Sequence, residues 1–192
     1  MMSGRPNSIE WAAENVDAIL HAWYPGTMGG HAIADVLFGD YNPSGKLPVT
    51  FPRNVGQVPI FYNVKNTGRP YTADKQGQKY LSRYLNTPNS PLYPFGWGLS
   101  YTQFAYTDAA MAQKQLDQGG VLEVAVSVKN AGAREGQEVV QLYTRDPVAS
   151  RSRPLRELKA FASAQVWLTL LAGAIGFGGM FAVITYISPT VT

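Results

Sequence analysis

The stretch VLEVAVSVKNAG, Val121 to Gly132, decides the fold class of the C-terminal half. Leu122, Val124, Val126 and Val128 alternate strictly with Glu123, Ala125, Ser127 and Lys129. A period of two is the signature of a half-buried antiparallel strand. Asn130-Ala131-Gly132 supplies turn residues to end it. A second strand is expected over Glu138 to Arg145 (EVVQLYTR), and a third from Leu155 to Phe161. Short strands joined by polar links predict the start of a β-sandwich.

Towards the C-terminus the chain changes character. Every charged residue lies at or before Lys159. Val166 to Ser188 reads VWLTLLAGAIGFGGMFAVITYIS, and about 20 apolar residues suffice to cross a bilayer core as a helix. Gly173, Gly176, Gly178 and Gly179 would each cost about 1 kcal/mol in a helix exposed to water, whereas a membrane helix uses small residues such as Ala172 and Gly176 for close packing. Trp167 and Tyr186 stand near the two ends, where interfacial anchors are expected. A transmembrane helix over Val166 to Ser188 is the leading expectation; a buried helix or strand pair of a soluble domain is the alternative. Arg151, Arg153, Arg156 and Lys159 precede the stretch, and the positive-inside rule would hold the region before it in the cytoplasm.

Upstream, residues 18–39 read as an α/β unit. Asn7 with Glu10 resembles a capping box opening a short helix over Ile9 to Asn15. The apolar run Ala18 to Tyr24 predicts a buried strand, closed by Pro25-Gly26. Ala32, Ile33, Val36 and Leu37 recur at helical spacing, and Gly39 is a natural C-terminal cap. Leu47 to Phe51 predicts a short strand. Residues 53–107, rich in Pro, Gly, Asn and Tyr, show little sustained period and read as ordered loops or a linker. The expected organisation is therefore 1–52, the end of an α/β domain; 53–107, linker and loops; 108–161, a partial β-sandwich; and 162–192, an apolar tail.

Chemistry is thinly marked. The 192 residues include no cysteine, which excludes a disulfide framework, a thiolate nucleophile and Cys-ligated metal. The formal charge of +3 comes without a basic block, so no nucleic-acid footprint is indicated. Met1 to Glu10 lacks the apolar core of a secretory signal. His21 and His31 stand without carboxylates at metal-ligand spacing, so a core or surface role is expected of them, with no metal and no cofactor. The GTMGGH turn lacks the GK[ST] of a phosphate loop and reads as a packing turn. Sequence alone pairs no two carboxylates at glycosidase distance, so no catalytic residue is assigned and no substrate-binding set is defined. The aromatic residues Tyr80, Tyr84, Trp97 and Tyr101 are either a sugar-facing set or junction packing.

The segments SGRP (Ser3 to Pro6), AENVDAILHAWYPG (Ala13 to Gly26), GGHAIADVLFGDYNPSGKLPVTFP (Gly29 to Pro52) and LYPFGWGLSYTQF (Leu92 to Phe104) resemble the C-terminal part of family 3 β-glucosidases of the bacterial periplasmic type. So do NTGRPY (Asn66 to Tyr71), SRY (Ser82 to Tyr84), VKNAGAREGQEVVQLY (Val128 to Tyr143) and SRPLRELKAF (Ser152 to Phe161). The resemblance runs from about residue 3 to 161, in family order.

It implies a (β/α)8-type barrel, an α/β sandwich domain and a fibronectin type III-like domain in the parent enzyme. This chain would hold the end of the second and the first half of the third. It also implies retaining hydrolysis of terminal β-D-glucosyl residues, with β-glucosides or oligosaccharides as partners in carbohydrate catabolism. Both catalytic carboxylates, a barrel Asp and an upstream Glu, would precede Met1. Ala162 to Thr192 instead resembles a transporter helix of the major facilitator type, so the chain reads as a truncated, fused frame with membrane contact through Val166 to Ser188. Three functions are thus expected to compete: an inactive β-glucosidase fragment, a non-catalytic carbohydrate-binding or interaction module, and a membrane-anchored fusion.

Overall fold

The computed structural model describes residues 4–65, 68–75, 77–115, 117, 120–146, 152–163, 167–175 and 179–187. Two compact units divide the chain. The first comprises Met1–Tyr41, Lys46–Trp97 and Arg145–Arg156, the second Asn42–Gly45, Gly98–Thr144 and Glu157–Thr192.

In the first unit, helix α1 spans Glu10–Asn15 and helix α2 spans Gly29–Phe38. The expected capping box does not form. Ile9 occupies the N-cap of α1 without a side-chain bond, and Glu10 turns instead to Arg53, 3.2 Å away. Helix α2 ends where its sequence says it should, on Gly39 in the left-handed region at φ 86°. The turn before it is a packing device, since a Cβ on Gly29 would sit 2.6 Å from the Pro25 ring. The run Ala18 to Tyr24, expected as a strand, is extended but makes only a bridge at His21. Ladder pairing needs a neighbouring strand, and the described residues include none beside it.

Segments 47–51 and 92–97 run past each other without forming a named strand. Leu47 N–H donates to the Trp97 carbonyl at 2.7 Å and Phe51 N–H to the Tyr93 carbonyl at 2.9 Å. Leu92 and Gly96 return bonds to Phe51 and Leu47. The loops between are pinned by Gln57, only 1% exposed. Its Oε1 accepts from Arg53 N–H at 2.7 Å, and its Nε2 donates to the Pro88 carbonyl at 2.8 Å. The Tyr84 hydroxyl donates to its carbonyl at 3.3 Å. Replacing a buried amide that satisfies several backbone groups leaves each without a partner, at about 1–3 kcal/mol per group. Gln57→Leu is therefore expected to destabilise these loops by about 3 kcal/mol, read as faster protease cleavage inside 53–97 of the variant than of the parent.

The second unit is the β-rich one. Strands β1 (Phe104–Met111), β2 (Val121–Asn130), β5 (Trp167–Ile175) and β6 (Gly179–Ile187) form a four-stranded sheet in the order β1-β2-β5-β6. Strands β3 (Val139–Thr144) and β4 (Glu157–Ser163) form a two-stranded sheet. All the pairs are antiparallel. The strand read from the Val121 stretch is present, and its half-buried positions include Leu122, Val124 and Val126 as alternation requires. After it, Asn130 organises the turn. Its Oδ1 accepts from the Thr102 hydroxyl at 2.7 Å and from Gly132 N–H at 3.1 Å, while its Nδ2 donates to the Arg134 carbonyl at 2.7 Å. Asn42 ties two further segments together, accepting from Ser100 Oγ and Tyr101 N–H and donating to the Glu135 carbonyl.

The tail corrects the transmembrane expectation. Trp167–Ile175 and Gly179–Ile187 are strands β5 and β6, paired from Trp167↔Ile187 to Ile175↔Gly179. No helix among the described residues is long and apolar enough to cross a membrane. The physical reasons lie in the sequence. Glycines weaken a helix, the run Val183-Ile184-Thr185 is β-branched, and β2 offers an edge along which Val121–Val126 pairs with Leu168–Gly173. Trp167 and Tyr186, expected at opposite ends of a helix, fall at the same end of the hairpin.

Candidate functional site

The first unit contains a cavity of about 840 Å³, within the usual range for small-molecule sites. It is lined from the loops around Pro59 to Lys65, Pro70 and Tyr71, and Ser82 to Tyr84, and by Arg145, Leu155 and Arg156. Tyr62, Tyr71 and Tyr84 supply aromatic walls. Tyr62 is stacked on Phe95 with ring centroids 4.4 Å apart, and its carbonyl accepts from Arg156 Nε at 3.3 Å. The Arg83 guanidinium lies 5.7 Å from the Tyr71 ring centroid, a cation–π arrangement. Below them, Asn89 holds the 82–84 loop, accepting from Tyr84 N–H at 3.1 Å and donating to the Ser82 carbonyl at 2.8 Å.

The aromatic set picked out from the sequence is not gathered at one place. Tyr84 lines the cavity. Tyr80 is 82% exposed, and Trp97 lies beside Tyr93 with centroids 6.0 Å apart. Tyr101 belongs to the second unit, with Arg134 over its ring at 5.7 Å. Sequence reading passed over Tyr62, and also over Tyr71 and Arg83, which occur in the NTGRPY and SRY motifs but carry no spacing rule of their own.

No retaining acid/base arrangement emerges. Such a pair needs two carboxyls about 5–5.5 Å apart with one proton affinity raised. Asp74 moves the wrong way: the Thr72 hydroxyl and its own backbone N–H hold it below the ordinary carboxylate range. Glu10, Asp146 and Glu157 are engaged by Arg53, Arg153 and Lys159. Glu138, in the second unit, accepts from the Tyr106 hydroxyl at 3.0 Å. Burial, with the Glu138 charge and hydrogen bond behind it, raises the Tyr106 phenol well above its usual range. Among the described residues, no group of three or more His, Asp or Glu side chains could hold a metal ion.

His31 is exposed on α2. His21 sits edge-on between aromatics, 4.3 Å from Trp23 and 5.1 Å from Phe51. Both its ring nitrogens are screened from water without a hydrogen-bond partner. Desolvation holds it below its ordinary affinity for protons, and the Arg5 backbone pulls weakly the other way. Below about pH 6.5 an unfolded histidine takes up a proton that this one resists, so the unfolded state binds more protons and stability falls with falling pH. His21→Phe keeps an aromatic ring there and removes the titration. Its advantage over the parent is expected to be larger at pH 5 than at pH 8, read by proteolysis of residues 4–41.

The architecture defines a class: a mixed α/β fold, with two short α-helices in the first unit and two small antiparallel sheets in the second. Residues 1–101 match the glycosyl hydrolase family 3 C-terminal domain, and residues 138–168 match the fibronectin type III-like domain. The chain belongs to glycosyl hydrolase family 3. It is 52% identical over 161 residues to a periplasmic β-glucosidase of Salmonella typhimurium, covering 84% of this chain and 21% of that one. A β-xylosidase of Formosa agariphila is 44% identical over 162 residues, with coverage of 84% and 21%. Among solved structures, a β-glucosidase from Listeria innocua in complex with isofagomine has a TM-score of 0.81 and 41% identity, covering 97% of this chain and 25% of that chain. The chain thus spans between a fifth and a quarter of the length of these relatives.

Proposed function

We propose that this chain furnishes the C-terminal portion of a retaining β-glucosidase, whose complete form hydrolyses terminal β-D-glucosyl residues. The nucleophile and the acid/base belong to polypeptide outside the fifth of the relatives that the chain matches. Residues 1–52 then act as the end of the α/β domain, 53–107 as linker and ordered loops, and 108–161 as a fibronectin type III-like domain extended by the tail hairpin. Periplasmic placement follows from the name of the Salmonella relative.

The observation that carries this reading is an uncovered apolar surface on the first unit. Among the residues whose burial is described, the buried hydrophobics are Ile9, Phe51 and Ala160, while Trp11, Tyr24, Leu37 and Phe38 are 59–84% exposed. Leu37 belongs to the apolar stripe that helical spacing marks for burial. Exposed apolar patches of this kind mark interaction surfaces. The occupant is the upstream part of the same α/β domain, which would also pair with the extended segment Ala18 to Tyr24.

Docking in trans tests it. The Salmonella enzyme, truncated to remove the segment this chain matches, is mixed with the 192-residue chain. Co-elution and recovered aryl β-glucoside hydrolysis are expected, and Phe38→Asp is expected to abolish both. Separate elution with no recovered turnover would overturn the reading.

A further inference from the structure

Among the described residues, the cavity of the first unit is lined by four cations, Lys65, Arg83, Arg145 and Arg156, and by no Asp or Glu. The chain as a whole is nearly charge-balanced, with 16 Lys and Arg against 13 Asp and Glu. One-signed lining is therefore a local property, and a concave site lined by one sign of charge concentrates the opposite sign. Two of the cations are held rather than free-swinging: Arg83 against the Tyr71 ring and Arg156 against the Tyr62 carbonyl. Guanidinium groups fixed this way are suited to carboxylates, which they meet in paired hydrogen bonds. Beside them are the flat faces of Tyr62, Tyr71 and Tyr84 and the neutral polar groups of Ser82 and Asn89. That combination suits a ring with apolar faces, hydroxyls on its edge and one negative charge.

We propose that this cavity binds an acidic glycoside, a short oligosaccharide ending in a uronic acid, with its carboxylate among Arg83, Arg145 and Lys65 and its rings against the tyrosines. The choice of a glycoside over another organic anion rests on the function proposed above; the choice of an anion rests on the cavity alone.

The test is a calorimetric titration with cellobiouronic acid, with cellobiose as its neutral match and inorganic phosphate as a sugar-free anion. It is run on the 192-residue chain and on its complex with the truncated Salmonella enzyme. The acid is expected to bind at least tenfold more tightly than cellobiose, and the advantage to shrink several-fold between about 20 and 200 mM salt as screening grows. Arg145→Gln and Lys65→Gln are each expected to reduce that advantage without altering the circular dichroism of the chain. Equal binding of acid and cellobiose, or no binding of either, would overturn the proposal. Phosphate binding as tight as the acid would overturn the glycoside assignment. Hydrolysis recovered by the complex reports separately on the function proposed above, so a failure of one is distinguishable from a failure of the other.

Discussion

The purified 192-residue chain is expected to leave an aryl β-glucoside untouched, at a rate at least about a millionfold below that of a whole relative, the lower end of what enzymes contribute over the uncatalysed reaction. Retaining hydrolysis splits one displacement into two, and each half needs its own carboxyl in place. A nucleophile without an acid leaves the departing oxygen unprotonated; an acid without a nucleophile leaves the sugar cation unsupported. Here Asp74 is shifted in the direction opposite to an acid's, on an exposed turn. Glu138 has its hydrogen bond to Tyr106 between two strands rather than facing a pocket. The cavity that could hold a sugar is lined by cations and no carboxylate. Turnover that survives repurification would show that two carboxyls do converge and that the catalytic assignment is wrong.

The second large effect concerns stability. The isolated chain is expected to unfold over a broad range, without the single sharp transition usual for small domains. Cooperative melting requires a shared core whose loss is all-or-none. In the first unit the buried hydrophobic side chains are Ile9 and Phe51 among the residues whose burial is described, while tryptophan, tyrosine, leucine and phenylalanine side chains of the first 41 residues stand in water. Net stability is a small remainder between large opposing quantities, and a unit that buries so little has little to set against chain entropy. Adding the truncated Salmonella enzyme is expected to sharpen the transition and move it upward, as any partner that binds only the folded state must. A steep calorimetric transition from the chain alone, with equal van't Hoff and calorimetric enthalpies, would contradict this.

What could be read from the sequence follows from how local each feature is. Strand β2 was legible because its alternation depends on nothing but its own ten residues. Helix α2 was legible through its stripe and through Gly39, whose left-handed φ needs no distant partner. Strand β1 was missed, read as part of the linker and the start of the sandwich. Its ladder shifts between Thr107 and Ala110, where Asp108 adopts φ 54°, and a bulge of this kind breaks the period that sequence reading relies on. The tail was misread because a long apolar run has the same composition in a membrane helix and in a pair of strands; pairing with β2 decides between them. The cap at Asn7 failed because Glu10 has a better partner 43 positions away in Arg53.

The candidate site was nearly invisible for the same reason. Lys65, Tyr71 and Arg83 meet Arg145, Leu155 and Arg156 only in the folded chain, and the backbone bridge from Lys65 to Pro154 has no local signature. Gln57, which orders the loops under the cavity, reads in sequence as one more polar residue in a polar stretch. The family resemblance located these segments without saying what they build.

We infer that this chain performs the C-terminal role of a family 3 β-glucosidase. The most direct measurement is a graft: residues 3–161 replace the matching segment of the Salmonella enzyme, and kcat/KM on an aryl β-glucoside is compared with the parent's. At 52% identity over 161 residues, with motifs in the same order, the graft is expected to stay within about tenfold, a cost of about 1.4 kcal/mol. A graft that folds, elutes like the parent and shows no turnover would contradict the claim.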